Sequence, residues 1–356
     1  MPSNLLDQPQ RFSKLDPDGM LQKTMDFPKQ CQDARQGVKT RPPRLKVRSL
    51  RNILVSGLGG SAIGGDVLRS LVWKKSKAAV SVNRHYQLPG FASRDTLVVC
   101  SSYSGNTEET LSAFRQAKAR KCPILVVSSG GRLLEEARRG KFPSCRLPGG
   151  LPPRAAFGYS FITLLTAGES LGLLPSFEKD FGEAISILLR QAEQYGPLAP
   201  SSRNAAKRLA FFLNGRLPVI YAGQDHLDSV GMRWKTQINE NAKRVALFNI
   251  VPEMNHNEVL GFTRAEALTR NMAVVLLRHP QGDHPQIQRR FDILAGILRS
   301  KTAGVREVKA EGKSLLAQML STVYLGDFMS VYLAYLRGMD PTPIEIIDRF
   351  KSQLTR

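Results

Sequence analysis

Short apolar runs alternate with amphipathic helical patterns along most of the chain. In the first half these runs predict five strands, at 53–56, 79–83, 96–101, 124–128 and 144–147. Strands that alternate with helical segments pair in parallel, with helices on both faces, so the pattern predicts a parallel sheet. The Pro- and Gly-rich segment 148–153 ends this sheet, and a helical pattern over 156–171 follows it.

The second half repeats this plan less clearly. Four further strands are predicted, at 218–222, 245–249, 272–277 and 305–308. Helical patterns accompany them, at 226–243, 286–300, 313–337 and 344–354. The chain of 356 residues is long enough for two domains, and segment 182–202, which contains Gly196-Pro197, indicates a helix and a linker. We therefore expect an α/β fold with two similar units, at 1–196 and 197–356.

Two loops of the first unit combine glycine with hydroxyl residues directly after a strand and before a helical pattern. The first is Gly57-Leu-Gly-Gly-Ser61 and the second is Ser102-Tyr-Ser-Gly-Asn-Thr107. Glycines such as Gly59 and Gly60 let the backbone approach a ligand, and N–H groups and hydroxyls at a helix start suit a phosphate. One short strand separates the two loops along the chain, so both should open on the carboxyl edge of the sheet, where such sheets bind ligands.

The first loop also contains part of a dinucleotide-binding fingerprint. Its third glycine position is Ala62, and the next predicted strand leads into Arg84 and His85 instead of an acidic residue that could bind a ribose. These departures disfavour an NAD site.

The helical pattern over 226–243 places one glutamate on its polar side. An apolar stripe recurs at every fourth residue, at Val230, Trp234, Ile238 and Ala242. At about 100° per residue, Glu240 points away from this stripe. A solvated glutamate and a catalytic one both fit this position.

His256 lies in the polar segment 252–258, which follows a predicted strand and lacks helical or strand alternation. An imidazole on a loop is accessible and exchanges protons near neutral pH, so structural and catalytic roles are both open. The five histidines have no H-x-H or H-E-x-x-H spacing, so we expect no metal site.

Two cationic residues, Arg154 and Lys351, have unusual neighbours in the sequence. Arg154 follows two prolines that stiffen the backbone, which could hold its guanidinium over a developing oxyanion; the alternative is a surface arginine near a helix start. In the last helical pattern, Ile347, Phe350 and Leu354 are predicted to form a buried side. Lys351 lies at the edge of that side, where a snorkelling lysine is the alternative to a functional one.

The net charge of +21 comes from 51 Lys and Arg against 30 Asp and Glu. The cations are scattered over both halves with little aromatic interleaving, so we favour a solvated basic surface that attracts anionic metabolites over a nucleic-acid role. Four widely separated cysteines, without C-x-x-C spacing, are expected to be reduced and structural. No apolar run approaches the roughly 18 residues of a membrane span, so we expect a cytoplasmic protein with no membrane role.

Taken together, these segments resemble the bifunctional phosphoglucose/phosphomannose isomerases, a branch of the sugar isomerase (SIS) domain proteins. The matching motifs occur in order over nearly the whole chain: Gly57-Leu-Gly-Gly-Ser61, Ser102-Tyr-Ser-Gly-Asn-Thr107, Pro152-Pro-Arg154, Asn239-Glu-Asn-Ala-Lys243 and Asn255-His-Asn-Glu258, with Lys351 near the end. The resemblance implies two SIS domains, each a doubly wound, Rossmann-like parallel sheet flanked by helices, in a homodimer with active sites in the cleft between domains.

The resemblance also implies the roles of these residues. Ser61, Ser102, Ser104 and Thr107 would bind the phosphate of a hexose 6-phosphate. Arg154 would stabilise the intermediate, and Glu240 would move the proton. His256, from the same or from the neighbouring subunit, would assist ring opening together with Lys351. One carboxylate can perform both proton transfers through a cis-enediolate, so no cofactor is expected. The remaining alternatives are a non-catalytic sugar-phosphate sensor and an isomerase specific for a single hexose phosphate or an amino-sugar phosphate.

Overall fold

The structure, a computed structural model, describes residues 5–45, 50–224 and 226–354. These residues form two compact units. Unit A consists of Asp26–Ile185 and Ser314–Leu316, and unit B consists of the described parts of Met1–Met25, Ser186–Lys313 and Ala317–Arg356.

The elements follow one another in the alternating order that the sequence predicts. The first half contains α1 (Phe12–Leu15), α2 (Met20–Met25), α3 (Phe27–Thr40), β1 (Asn52–Ser56), α4 (Gly59–Val72), β2 (Ala79–Asn83), β3 (Thr96–Ser101), α5 (Glu108–Ala119), β4 (Ile124–Ser128), α6 (Gly131–Arg139), β5 (Ser144–Arg146) and α7 (Phe157–Ser170). The second half contains α8 (Glu178–Tyr195), α9 (Ala205–Leu213), β6 (Leu217–Gly223), α10 (Asp228–Ala242), β7 (Leu247–Val251), α11 (Ala267–Arg270), β8 (Met272–Arg278), α12 (Pro285–Arg299), β9 (Gly304–Lys309), α13 (Leu315–Leu336) and α14 (Glu345–Leu354). Short 3-10 helices lie at Leu5–Asp7, Pro9–Arg11, Pro153–Ala156, Glu253–His256 and Glu258–Phe262.

Unit A contains a parallel sheet with the strand order β2-β1-β3-β4-β5. Every residue of β3 and β4 is buried, which explains their unbroken apolar sequences. Ser56 at the end of β1 is in register with Cys100 of β3, so the two loops that follow these strands start side by side. Because β1 lies between β2 and β3, these loops occupy the point where the winding of the sheet reverses direction. The predicted five-stranded sheet and its adjacent loops are confirmed.

Unit B contains a second parallel sheet, with the order β7-β6-β8-β9. Its four predicted strands are confirmed, although β7 begins two residues later than expected. The long helix α13 is apolar enough, and at 22 residues long enough, to cross a membrane, which corrects the expectation that no segment approaches that length. In the structure 94% of its apolar window is buried, as in the core helix of a folded domain.

The amino-terminal segment packs within unit B, against α13. The phenol of Tyr335 donates a hydrogen bond to Asp16 Oδ2 at 2.9 Å, and the phenol of Tyr324 donates to the carbonyl of Met25 at 2.9 Å. Phe12 packs against Tyr335 with 4.7 Å between ring centroids. Unit B therefore combines the first residues of the chain with its second half, whereas the sequence suggests domains at 1–196 and 197–356. The composition of a linker carries no information on packing between residues some 300 positions apart.

All four cysteines, Cys31, Cys100, Cys122 and Cys145, are free and buried. Burial raises the pKa of Cys145 to about 11, and it raises the pKa of Cys31 and Cys100 further. The thiols are therefore protonated near neutral pH, in agreement with the predicted structural role.

Candidate active site

The loop between β1 and α4 is glycine-rich because its backbone passes close to two other segments. A Cβ at Gly57 would lie 2.6 Å from the carbonyl oxygen of Ser101, and one at Gly60 would lie 2.9 Å from the carbonyl oxygen of Pro153. Gly59 begins α4 with a φ of +51°, a conformation that L-residues rarely adopt. The start of α4 is thus held between the end of β3 and the 3-10 helix that carries Arg154.

The predicted phosphate ligands of the two loops come together at this edge of unit A. Ser61 Oγ accepts a hydrogen bond from the backbone N–H of Tyr103 at 3.0 Å, which joins the first loop to the second. Ser102 Oγ and Thr107 Oγ1 are 2.8 Å apart. Ser61 and Ser102 are buried, Thr107 is partly buried and Ser104 is exposed. Each hydroxyl has one donor and two acceptor sites, so these side chains retain hydrogen-bonding capacity for a ligand.

The second loop is supported from behind by the turn between β4 and α6. A Cβ at Gly105 would lie 1.8 Å from the carbonyl oxygen of Gly130, and one at Gly131 would lie 2.4 Å from the carbonyl oxygen of Ser104. The backbone N–H of Leu133 donates to the Gly105 carbonyl at 2.9 Å. Gly130 and Gly131 are positioning residues that were not predicted from the sequence, although a glycine pair after a buried strand indicates a close approach of the backbone.

Arg154 lies in the 3-10 helix Pro153–Ala156 and is only 2% exposed, which excludes the alternative of a surface arginine. Gln30 Nε2 donates to the carbonyl of Ala155 at 2.9 Å and fixes this short helix. The Tyr103 phenol donates to the Pro148 carbonyl at 2.8 Å and accepts from the Leu151 N–H at 3.1 Å. Tyr103 therefore ties the hydroxyl loop to the segment that leads into Arg154.

In unit B, Glu240 lies in the last turn of α10 and is partly buried. The predicted apolar stripe of this helix is confirmed, since its members are fully buried: Val230, Trp234, Ile238 and Ala242. Glu240 borders a hollow of about 560 Å³ that is also lined by Lys243, Asp340 and Glu345. Lys243 Nζ donates to the carbonyls of Glu240 at 2.8 Å and Pro341 at 2.9 Å, which fixes one wall of the hollow.

A second, polar stripe of α10 anchors the helix to α13. Arg233 forms two hydrogen bonds with Asp327, from Nε to Oδ1 at 3.1 Å and from Nη2 to Oδ2 at 2.7 Å. Gln237 Nε2 donates to Asp327 Oδ1 at 2.8 Å, and Asn241 Nδ2 donates to Ser330 Oγ at 2.9 Å. This stripe was not predicted from the sequence, although its polar members are spaced by four residues. Glu240 is thus carried by a helix whose rotation is fixed by buried polar contacts.

His256 is exposed, in the 3-10 helix that follows β7. Its segment is held by Glu258, which accepts hydrogen bonds from the Tyr221 phenol at 2.6 Å and from Asn249 Nδ2. Burial and this carboxylate raise the pKa of Tyr221. Within the part of the chain that the structure describes, no group of three or more His, Cys, Asp or Glu side chains could hold a metal ion.

Lys351 lies in α14, where no described residue is buried. The predicted buried side of this helix is wrong for the single chain, because Ile347 is 40%, Phe350 63% and Leu354 62% exposed. The helix is amphipathic, but the described residues of the chain do not cover its apolar side. Neither His256 nor Lys351 is among the described residues that line the hollow beside Glu240.

Comparison with known proteins gives a consistent result. Residues 202–354 match the family described as the bacterial phospho-glucose isomerase C-terminal SIS domain. A bifunctional phosphoglucose/phosphomannose isomerase of Caldicellulosiruptor bescii is 41% identical over 335 residues, which cover 94% of this chain and 98% of the relative. A protein of the same name from Aquifex aeolicus is 37% identical over 307 residues, with 86% and 91% covered.

Among solved structures, a glucose-6-phosphate isomerase like protein from Thermus thermophilus is similar to this chain with a TM-score of 0.63, 17% identity and 98% of each chain covered. At this identity the likeness shows the fold alone, and it confirms the expected SIS fold of parallel sheets flanked by helices. The sequence relatives show more than the fold, since their identity extends over nearly their whole length. The chain belongs to the bifunctional phosphoglucose/phosphomannose isomerases, a family of sugar-phosphate isomerases.

Proposed function

We propose that the protein interconverts glucose 6-phosphate and mannose 6-phosphate with fructose 6-phosphate. The observation that supports this most strongly is the hydroxyl cluster of Ser61, Ser102 and Thr107 at the starts of α4 and α5. Helix N-termini carry partial positive charge and attract phosphate groups. Gly59 and Gly60 bring the backbone close to the substrate, and Ser104 adds a hydroxyl from the exposed side of the loop.

The proposed reaction begins when His256 and Lys351 assist opening of the pyranose ring. The Glu240 carboxylate then removes the proton from C2, the electron pair forms the C1–C2 double bond, and the electrons of the C1 carbonyl move onto O1, which gives a cis-enediolate. The hydroxyl proton passes from O2 to O1, the carbonyl forms at C2, and the same carboxyl group returns its proton to C1. The Arg154 guanidinium stabilises the oxyanion of this intermediate by preorganised electrostatics. The base is regenerated and no redox change occurs, so the proposed chemistry requires neither a metal nor a nucleotide.

The experiment replaces Glu240 by Gln and measures both sugar phosphates in a coupled assay, with binding of fructose 6-phosphate measured by calorimetry. We expect kcat to fall by about 10²–10⁴-fold while binding persists, because the amide keeps the shape of the side chain but cannot take a proton. Glu345→Gln is the matched control, since Glu345 lines the same hollow and has no proposed role. Unchanged turnover in Glu240→Gln would reject the assigned base.

A panel of substrates tests the remaining alternatives. Turnover of only one epimer, or of an amino-sugar phosphate instead, would keep the enzyme class and change the substrate. Ligand binding by the wild-type chain without any turnover would favour a sugar-phosphate sensor.

We further propose that the enzyme is a cytoplasmic homodimer in which His256 acts on the partner's substrate. The exposed apolar residues Phe350 and Leu354 of α14 support a second copy as a covering surface. Mixing Glu240→Gln with His256→Ala subunits tests this arrangement. In a dimer that shares His256, the mixture should regain about a quarter of wild-type activity, because half of the dimers are mixed and each has one intact site. If His256 acts within its own subunit, no activity returns.

A further inference from the structure

A hollow on unit A is separate from the loops that carry Ser61 and Ser102. It has a volume of about 810 Å³ and lies beside β5, the last strand of the sheet, between the residues after α3 and the helix α6. Its wall includes the stiff dipeptide Pro42-Pro43 and the residues Pro143 and Ser144 at the start of β5. Pairing with β4 holds the β5 side of the hollow in place.

Cationic side chains dominate the lining of this hollow. Five of the lining residues are cations, namely Arg41, Arg44, Arg138, Lys141 and Arg146, whereas Glu135 is the one carboxylate among them. All five cations are exposed, and none forms an ion pair with a carboxylate of the described residues.

This arrangement contrasts with other arginines of the same unit. Arg115 of α5 pairs with Glu136 of α6 at 2.9 Å, and Arg35 of α3 pairs with Glu169 at 2.9 Å. Glu136 thus lies on α6, which borders the hollow, but it pairs with Arg115 and is not among the lining residues. Like charges gathered around one concave surface repel one another, and the walls of the hollow focus their field. A bound anion with several charges would relieve this repulsion.

We propose that the hollow, which we name the cationic hollow, binds a compact small molecule with two or more phosphate groups. Its volume falls within the range of small-ligand pockets, about 300–1,000 Å³. Its one aromatic lining residue, Phe142, packs edge-on against Phe114 at 5.3 Å between centroids and is only partly exposed. Single-stranded nucleic acid needs an extended basic groove with aromatic platforms for its bases, so this site is better suited to a polyphosphate than to a nucleic acid.

The cationic hollow shares two residues with the support of the hydroxyl loop. Gly130 and Gly131 line the hollow, and the same residues contact Gly105 and Ser104 from behind. Binding of a polyphosphate in the cationic hollow can nevertheless be measured whether or not the proposed isomerisation is correct.

The test titrates the full chain with tripolyphosphate in a calorimeter, alongside orthophosphate and a single-stranded oligonucleotide of random sequence. We expect tripolyphosphate to bind at least tenfold more tightly than orthophosphate, with an affinity that falls as salt rises. The variant Arg41→Gln/Arg138→Gln/Arg146→Gln should weaken tripolyphosphate binding at least tenfold. It should leave fructose 6-phosphate binding within about twofold, which also shows that the variant is folded.

The control variant removes the same charge elsewhere on unit A. Lys74, Lys77 and Lys118 are exposed and do not line the cationic hollow, so their joint replacement by Gln should reduce tripolyphosphate binding by less than about threefold. An equal loss in both triple variants would mean that net charge alone attracts the anion and would overturn the proposal. Undetectable tripolyphosphate binding, or tighter binding of the oligonucleotide, would overturn it as well. If the triple variant is unstable, Arg138→Gln alone carries the test, with an expected loss of about threefold.

Discussion

The four strands of the unit B sheet follow the same order as the first four strands of the five-stranded unit A sheet, but the loops at the carboxyl edge differ between the two units. In unit A, β1 and β3 lead into loops of glycine and hydroxyl residues that surround the starts of two helices. In unit B, β6 and β8 occupy the equivalent positions, and the segments that follow them are filled by His226, His279 and Asp283, all of them buried. Strand order therefore creates a place for a ligand in both units, and only the loop residues decide whether the protein fills it with its own side chains.

The glycines of the two edges show this difference. In unit B, a Cβ at Gly223 would lie 2.9 Å from Asp283 Oδ1, and one at Gly282 would lie 2.3 Å from the ring of His279. Asp283 Oδ2 accepts the backbone N–H of His279 at 2.9 Å, and the rings of His226 and His279 are 4.8 Å apart. In unit B the glycines make room for the protein's own side chains. In unit A they let two loops approach each other, and the hydroxyl groups at the helix start remain available to a ligand.

The largest effect is expected from Gly105→Ala in unit A. Gly105 has a φ of +73°, and a Cβ there would collide with the Gly130 carbonyl. Backbone strain and the displaced turn should together cost about 3 kcal/mol of unfolding free energy. The shift of the hydroxyl loop should weaken fructose 6-phosphate binding at least tenfold. Urea unfolding and calorimetry measure the two effects.

Gly172→Ala is the control for Gly105→Ala, because it introduces backbone strain without a steric collision. Gly172 of unit A has a similar φ of +68°, but a Cβ there would meet open space. Its replacement should cost only about 1 kcal/mol and leave binding unchanged. Equal behaviour of the two variants would mean that the turn at Gly130 does not support the loop.

The residues of these edges also show what could be predicted from the sequence. The strands, the neighbouring glycine and hydroxyl loops and the apolar stripe at Trp234 were predictable, because they depend on local periodicity and on the rule that parallel strands end at one edge. The packing of residues 12–25 on unit B and the pairing of Arg233 with Asp327 were not predictable, since they join distant segments. The buried side of α14 was predicted wrongly. Apolar residues on one side of a helix indicate that this side is buried, but they do not show whether the same chain or another chain buries it.

A smaller effect is expected from Asp283→Ala in unit B. The change removes the acceptor of the buried His279 N–H and should lower the free energy of unfolding by about 1–3 kcal/mol. Asp292→Ala is the control, because this carboxylate pairs with Arg278 but its side chain is 66% exposed, and its loss should cost less than about 1 kcal/mol. Fructose 6-phosphate binding should be unchanged in both variants. Loss of binding in Asp283→Ala would show that the edge of unit B also holds the substrate and would end the contrast between the units.

The smallest effect concerns the acid sensitivity of unit A. Hydrogen bonds from Lys39 and Arg35 to Glu178 lower the pKa of this carboxyl group to about 2. A depressed pKa stabilises the folded state above the unfolded value of 4.5, and this contribution is lost as the pH falls towards 2. In unit B burial acts in the opposite direction and raises the pKa of Asp327, in spite of its pairing with Arg233.

Glu178→Gln should therefore destabilise the protein at pH 6, and the effect should be clearly smaller near pH 2.5, where most of the contribution is lost. The Glu178 side chain is 59% exposed, so solvent screening limits the difference to a few tenths of a kcal/mol, up to about 1. Urea unfolding at both pH values measures the difference in unfolding free energy between the wild type and Glu178→Gln. Added salt, at about 0.5 M, should reduce this difference. An effect of Glu178→Gln that persists unchanged at pH 2.5 would indicate that the side chain stabilises unit A by packing instead of by charge.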